Sequence, residues 1–333
     1  MLITALNVDN FLPKNVKKIK KFGYFAESDY LCRLIGKCPQ AADVSVMIRS
    51  EELTIMSNTF QAFSYPHADG YGQLPLQDDR PVVLITNDDG YKAGGINALV
   101  DSLRGLCRIV VCAPDSPRSG FSASFTCTCP VSLQKMSDDG EVAVYACSGT
   151  PVDCVKLALH RLFSERHPDL IVSGINHGGN ESICVMYSGT MGAAMEGCVV
   201  GIPSIGFSLL DHDPAASFAH AVPFARDIVK QILNHPLPSG VLLNVNIPSG
   251  SEIKGVRVCR QAAGKWEEEF HYLEGDENQG KSLFQVTGVY VNLEPEAEDT
   301  DRYWLEKNYV SVVPQEVDYT SYPHLGSLSF LEC

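Results

Sequence analysis

The chain has 333 residues, 45% hydrophobic and 20% charged, a balance that supports a packed globular core and excludes a disordered chain. Lys and Arg number 26 against 40 Asp and Glu, and the net charge of −14 repels nucleic-acid phosphate. No stretch reaches the roughly 18 consecutive apolar residues of a membrane span, and no signal-peptide pattern opens the chain, so a cytoplasmic protein without a nucleic-acid or membrane partner is expected.

Residues 1–50 carry eight Lys/Arg and four Asp/Glu, net +4, with Lys14, Lys17, Lys18, Lys20 and Lys21 in one cluster. Residues 1–80 therefore read as a basic, solvated and poorly ordered N-terminal extension, ending in a linker at 57–80 that holds Pro66, Gly70, Gly72 and Pro75. Organelle targeting by this extension has weak support, because Asp9, Glu27, Asp29 and Asp43 break the acid-poor pattern of a transit peptide. The twelve cysteines are scattered from Cys32 to Cys333 with one C-x-C, Cys127 and Cys129, and most of them read as small buried hydrophobes in a reducing compartment.

From residue 81 to the C-terminus the pattern is that of one α/β domain. Val82–Thr86 is a continuous β-branched run, as a strand buried on both faces requires, and it ends in Asn-Asp-Asp-Gly. Ile96, Leu99, Val100, Leu103 and Leu106 fall at helical spacing over 95–106, and residues 107–112 give a second strand. A hairpin is predicted over about 125–146, then a helix with Thr150 as N-cap and Pro151 in its first turn, then a strand at 169–173. Further alternation follows: a helix at 189–200, a strand at 204–209, an Ala-rich helix at about 214–234 and a strand at 242–247. The fold class is α/β, Rossmann-like, with a mostly parallel sheet flanked by helices. Short strands at 256–258, 284–286 and 309–313 between acidic loops predict a β-rich, hairpin appendage over about 254–320.

In such a sheet ligands bind beyond the carboxyl ends of the strands. Three loops there are rich in oxygen and glycine: Asn87-Asp88-Asp89-Gly90, Asp115 to Gly120, and Gly174 to Asn180. Two adjacent carboxylates with a hydroxyl and a carboxamide nearby suit a hard divalent cation, Mg²⁺, Mn²⁺ or Ca²⁺. The competing reading of Asn-Asp-Asp-Gly is a plain strand-to-helix turn. Tyr187-Ser188-Gly189-Thr190 precedes a helix, where free N–H groups and hydroxyls make an anion cradle or a simple cap. Arg118 could add positive charge, or stand as an exposed loop arginine. No P-loop, dinucleotide fingerprint or G-x-S-x-G is present.

"VLITNDDG", "APDSPRSG", "SGTPVDC", "DLIVSGINHGGN" and "YSGTMGAAMEG", in that order, resemble the survival protein SurE family of metal-dependent nucleotidases over about residues 81–320. By that resemblance Asp88, Asp89, Ser119 and Asn176 match the divalent-metal ligands (Mg²⁺ or Mn²⁺, one per subunit). Asn180 matches a further active-site residue, and Ser188, Gly189 and Thr190 match the phosphate-binding turn. The resemblance implies hydrolysis of 5′- and 3′-nucleoside monophosphates, and sometimes short polyphosphate, in a homodimer or homotetramer built through the C-terminal hairpin region. "GKWEEEF", Gly264 to Phe270, looks more like the plant and eukaryotic branch than the bacterial one. Ala93-Gly94-Gly95 replaces the family's Ala-Pro-Gly. Some members place an Asp, and four residues later a His, near the phosphate; here Asp318 is followed by Tyr322, with His324 two residues on. Asp318 is therefore a candidate for leaving-group protonation, alongside water. An inactive metal- or nucleotide-binding regulator of the same fold is the alternative.

Overall fold

The computed structural model describes residues 79–332, except 251 and 277–279, together with two short strands near the N-terminus. Those strands, β1 (Thr4–Leu6) and β2 (Phe22–Tyr24), pair antiparallel in a first unit that also includes Cys127–Pro130. The lysine cluster and almost all of the predicted linker lie outside the described residues. The second unit, Gln73–Thr126 with Val131–Cys333, carries every other element.

Its centre is a nine-stranded sheet. The parallel part runs, in spatial order, β9 (Val241–Pro248), β8 (Ser204–Leu210), β7 (Leu170–His177), β3 (Val82–Thr86), β4 (Arg108–Pro114) and β6 (Val142–Cys147). All five residues of β3 are buried, which is why its sequence is an unbroken apolar run closed by Thr86. The hairpin partner β5 (Leu133–Asp138) adds an antiparallel edge beside β6. From β3 the chain winds to one side through β4 and β6 and then returns to β7 on the other, so the order reverses between β3 and β7.

Helices cover both faces. α1 (Gly94–Leu103) and α4 (Val222–Asn234) lie together on one, and α2 (Pro151–Arg161) and α3 (Gly189–Val199) on the other. Leu243, Val245 and Ile247 of β9 pack with α1 and α4 while Leu242 packs with α3, the alternation of a strand buried on both sides. α2 opens with a capping box: the Thr150 side chain accepts from Asp153 N–H, and Asp153 accepts from Thr150 N–H at 2.8 Å.

Two expectations change. α4 begins eight residues later than predicted, because Asp211 and Asp213 accept N–H groups two residues ahead of themselves and hold turns there, and Pro223 fits only a first helical turn. The predicted strands at 256–258 and 309–313 belong to the central sheet rather than to the appendage: β15 (Val310–Glu316) pairs antiparallel with β9 and has its first four residues buried. β10 (Val256–Val258) pairs parallel to β15 as the last strand on that side. The appendage is thus two antiparallel pairs, β11 (Gly264–Glu267) with β14 (Val289–Asn292) and β12 (Phe270–Asp276) with β13 (Lys281–Val286). A short helix, α5 (Asp301–Glu306), capped by Thr300, was not foreseen. Among the described thiols, all free, Cys107, Cys112, Cys147, Cys154 and Cys198 are buried as expected, whereas Cys184 and Cys259 are half-buried and Cys127 and Cys129 are exposed.

Gly95 is where the first helix meets β7. A Cβ built there would lie 1.9 Å from the Ile175 carbonyl oxygen, a backbone atom that cannot swing aside. Gly95→Ala should therefore lower the unfolding free energy by at least about 2 kcal/mol, whereas Gly94→Ala, whose nearest neighbour is the Phe218 ring at 3.6 Å, should cost less than about 1 kcal/mol in the same urea titration.

Candidate active site

The loops at the carboxyl ends of β3 and β7 meet at the reversal point, where an open α/β sheet leaves a crevice. In the first loop Asn87 makes the turn: its Nδ2 donates to the Gly90 carbonyl at 3.0 Å and its Oδ1 accepts Gly90 N–H at 3.1 Å. Gly90 has φ +100°, a conformation a side chain would oppose. The turn reading of Asn-Asp-Asp-Gly is therefore realised through Asn87, and the closure of the turn does not use the Asp88 and Asp89 side chains. The Asp88 carbonyl accepts Arg118 N–H at 2.6 Å, which ties the second loop to the first.

Asp88 is buried, and its side-chain partner is Thr190, whose Oγ1 donates to Oδ1 at 2.6 Å. Burial pushes its carboxyl up to about 6, against the Thr190 hydrogen bond and with the Asp89 charge adding to the rise. Asp89 is also raised by burial, opposed by His177 N–H, which donates to its Oδ2 at 3.2 Å. Neither carboxylate forms an ion pair with a Lys or Arg among the described residues. Gly189 makes this approach possible: a Cβ there would lie 2.9 Å from Asp88 Cβ. Ser188 is the N-cap of α3, accepting Met191 N–H at 3.1 Å.

β7 departs from regular pairing between Ser173 and Asn176, at Gly174 with φ +129°, and this irregularity places Asn176 at the crevice. Asn176 Nδ2 donates to the Gly178 carbonyl at 2.7 Å, so its Oδ1 is left without a described donor. Asp88, Ser119, Asn176, Asn180 and Ser188 line one cavity of about 430 Å³, within the size range of small-ligand sites. The donor set fits a hard divalent cation: two adjacent carboxylates, partly or fully removed from water without a cationic partner, beside a hydroxyl and a carboxamide oxygen.

Asp89, Gly189 and Thr190 adjoin Asp88 without being among the residues that line the cavity, and Arg118 and Asp318 are not brought there. The Arg118 guanidinium turns to the Ser148 carbonyl at 2.8 Å and lies near Asp115 and the Phe121 ring, away from the cavity lining. Asp318 follows β15, is exposed, and accepts hydrogen bonds from Tyr322 Oη and Thr320 N–H, while His324 Nδ1 bonds the Ser321 hydroxyl. Their turns face solvent, so none of the three reaches the cavity in this chain.

Sequence reasoning also missed what holds Asn180. Its Nδ2 donates to Ser208 Oγ and its N–H to Asn246 Oδ1, while Asn244 Nδ2 donates to its carbonyl, all at 2.8 Å; Asn246 Nδ2 in turn donates to Asn244 Oδ1 at 2.9 Å. The signal was available: Asn244 and Asn246 recur at the strand period inside "LLNVNIP", and buried strand amides need partners. Trp266, Phe270 and Val286 of the hairpin appendage complete the cavity wall, which nothing in their own segments indicated.

The sequence pattern described as survival protein SurE matches residues 83–268. A 5′-nucleotidase SurE of Phocaeicola vulgatus is 46% identical over 253 residues, covering 76% of this chain and 97% of that protein. The 5′-nucleotidase SurE of Bacteroides fragilis is 46% identical over 257 residues, covering 77% and 100%. The crystal structure of the SurE protein from Aquifex aeolicus superposes with a TM-score of 0.67 at 39% identity, covering 76% of this chain and 100% of that one. These relatives are bacterial, which overturns the plant-like reading of Gly264–Phe270; a seven-residue segment is too short to outweigh identity over the whole domain.

Removing the charge from Asp88 isolates the cost of burying it. Its folded carboxyl titrates above the ordinary value, so the penalty is absent below about pH 4 and complete above about pH 7. A rise from 3.8 to about 6 corresponds to about 3 kcal/mol. In chelator-treated protein Asp88→Asn should therefore be more stable than wild type by up to that amount at pH 7.5, with the difference vanishing near pH 4, as read by urea denaturation across pH.

Proposed function

The chain belongs to the survival protein SurE family, and from that premise we propose that it is a nucleotidase, a phosphoric monoester hydrolase that uses a divalent cation to release phosphate from nucleoside monophosphates. The observation that carries the reading is a pair of adjacent desolvated carboxylates with no Lys or Arg ion pair among the described residues, of which Asp88 lines one cavity together with Ser188, the N-cap of α3. Asp88, Asp89, Ser119 and Asn176 would hold the cation, Mg²⁺ or Mn²⁺. When bound, it supplies positive charge against the phosphoryl oxygens and makes water more acidic.

The chain's own residues do the rest. Ser188 accepts Met191 N–H through its hydroxyl oxygen, so its proton is free to donate to a phosphate oxygen. The Gly189 amide stands among the unpaired N–H groups of the α3 N-terminus, where the helix dipole favours an anion. Thr190 acts differently from a phosphate ligand: its hydroxyl is spent on Asp88, and it fixes the carboxylate's orientation. Asn180 is locked by Ser208, Asn244 and Asn246 and would orient the attacking water through its free Oδ1. Asp318 stands outside the cavity, so protonation of the leaving alkoxide falls to water in this reading. The hydrolase unit is residues 81–333.

Phosphate release from 5′-nucleoside monophosphates, with and without added Mg²⁺ or Mn²⁺, tests the proposal. Asp88→Asn and Asp89→Asn should each lower kcat/KM by at least about 100-fold with the fold intact, since each takes a formal charge from the cation site at almost constant shape. Chelation should do the same to wild type. Wild-type activity in either variant, or full activity in chelator, would contradict the assignment.

A further inference from the structure

The cavity has two chemically distinct halves, and the nucleotidase proposal uses only one. Besides Asp88, Ser119, Asn176, Asn180 and Ser188, its lining comes from the hairpin appendage: Trp266 on β11, Glu269 and Phe270 at the turn into β12, and Val286 at the end of β13, with Tyr187 in the same lining. Phe270, Val286 and Tyr187 are each more than half exposed, an apolar surface that borders a polar pocket.

This wall is held in place. Trp266 packs edge-on against Tyr290, with ring centroids 5.9 Å apart. Tyr290 Oη donates to Ser182 Oγ at 2.7 Å, and Ser182 opens the 3₁₀ segment Ser182–Tyr187 that delivers Ser188 to the phosphate end. Thr287 pins the turn from the other side, its N–H donating to the Glu269 carbonyl at 2.8 Å and its hydroxyl to the Glu268 carbonyl at 2.6 Å. The Glu269 carboxylate has no hydrogen bond or ion pair to any described residue.

We infer that this outer half is a nucleobase subsite, in which Trp266 and Phe270 supply the stacking faces and Glu269 selects bases that present adjacent N–H donors, guanine foremost. A ligand filling the cavity must be anionic at one end and flat and largely apolar at the other. A carboxylate accepts two parallel hydrogen bonds from the neighbouring N1–H and N2–H₂ of guanine, but only one from hypoxanthine or uracil. The inference rests on the nucleotidase reading for its phosphate end only, and base binding can be measured apart from turnover.

The test uses the full chain, GMP, IMP and the base-free ester ribose 5-phosphate. Phe270→Ala, at an exposed position, should raise KM for GMP about 5- to 20-fold relative to KM for ribose 5-phosphate, the loss expected for one stacking face. Glu269→Gln should lower the GMP-to-IMP ratio of kcat/KM at least fivefold. Guanosine should quench tryptophan emission in wild type and not in Trp266→Phe, whether or not the protein hydrolyses nucleotides. If guanosine quenches while no phosphate is released from any ester, the subsite stands and the nucleotidase reading falls. If nucleotides are hydrolysed but guanosine gives no quench and Phe270→Ala moves GMP and ribose 5-phosphate equally, the inference is overturned and the hairpin wall is a structural or subunit surface.

Discussion

A carboxylate taken out of water at the end of a buried strand costs several kcal/mol unless hydrogen bonds or positive charge replace the lost solvent. Asp88 is in that position and Asp89, beside it, is partly so, with one hydroxyl, one or two amides and, among the described residues, no Lys or Arg ion pair to compensate. The surrounding structure is arranged to keep that uncompensated charge in place. Asn87 closes the turn so that the two acids need not, Gly189 lets a helix N-terminus come against Asp88, and Gly95 lets α1 seat against the strand that carries Asn176. The two glycines are contacts that a Cβ would prevent, so the sequence constraint around the site is steric as much as chemical.

Most of the sheet was legible from residue pattern because its strands are buried on both faces and read as continuous apolar runs; β3, β7, β8 and β9 are of this kind. Capping chemistry located α2 and α3 for the same local reason, with Thr150 and Ser188 both acting as caps. The misreadings came where a local pattern had two outcomes. Ala-rich residues 214–221 match a helix by propensity, yet neighbouring aspartates and Pro223 settle them into turns. Tyr309–Val313 looks like any short strand, and only the long-range pairing with β9 assigns it to the central sheet.

The site divides along the same line. Asp88, Asp89, Ser119, Asn176, Asn180 and Ser188 could be singled out because they sit at or past strand ends or at a helix start, places where chain order alone brings loops together. Arg118 and Asp318 show the limit of that logic, since a residue adjacent to a site in sequence can send its side chain elsewhere. What lay beyond reach was support supplied from a distance: Asn244 and Asn246 behind Asn180, and the Trp266 to Phe270 wall from a segment whose strands carry little apolar periodicity.

Direct titration of Mn²⁺ into chelator-treated protein, followed by the loss of the free-ion paramagnetic resonance signal, tests the central claim without reference to turnover. The account predicts about one ion bound per chain at pH 7.5, weaker binding as the pH falls through 6 and Asp88 takes up its proton, and no comparable site in Asp88→Asn. An Asp88→Asn protein that binds one Mn²⁺ as tightly as wild type would contradict it, and the buried pair would need another explanation.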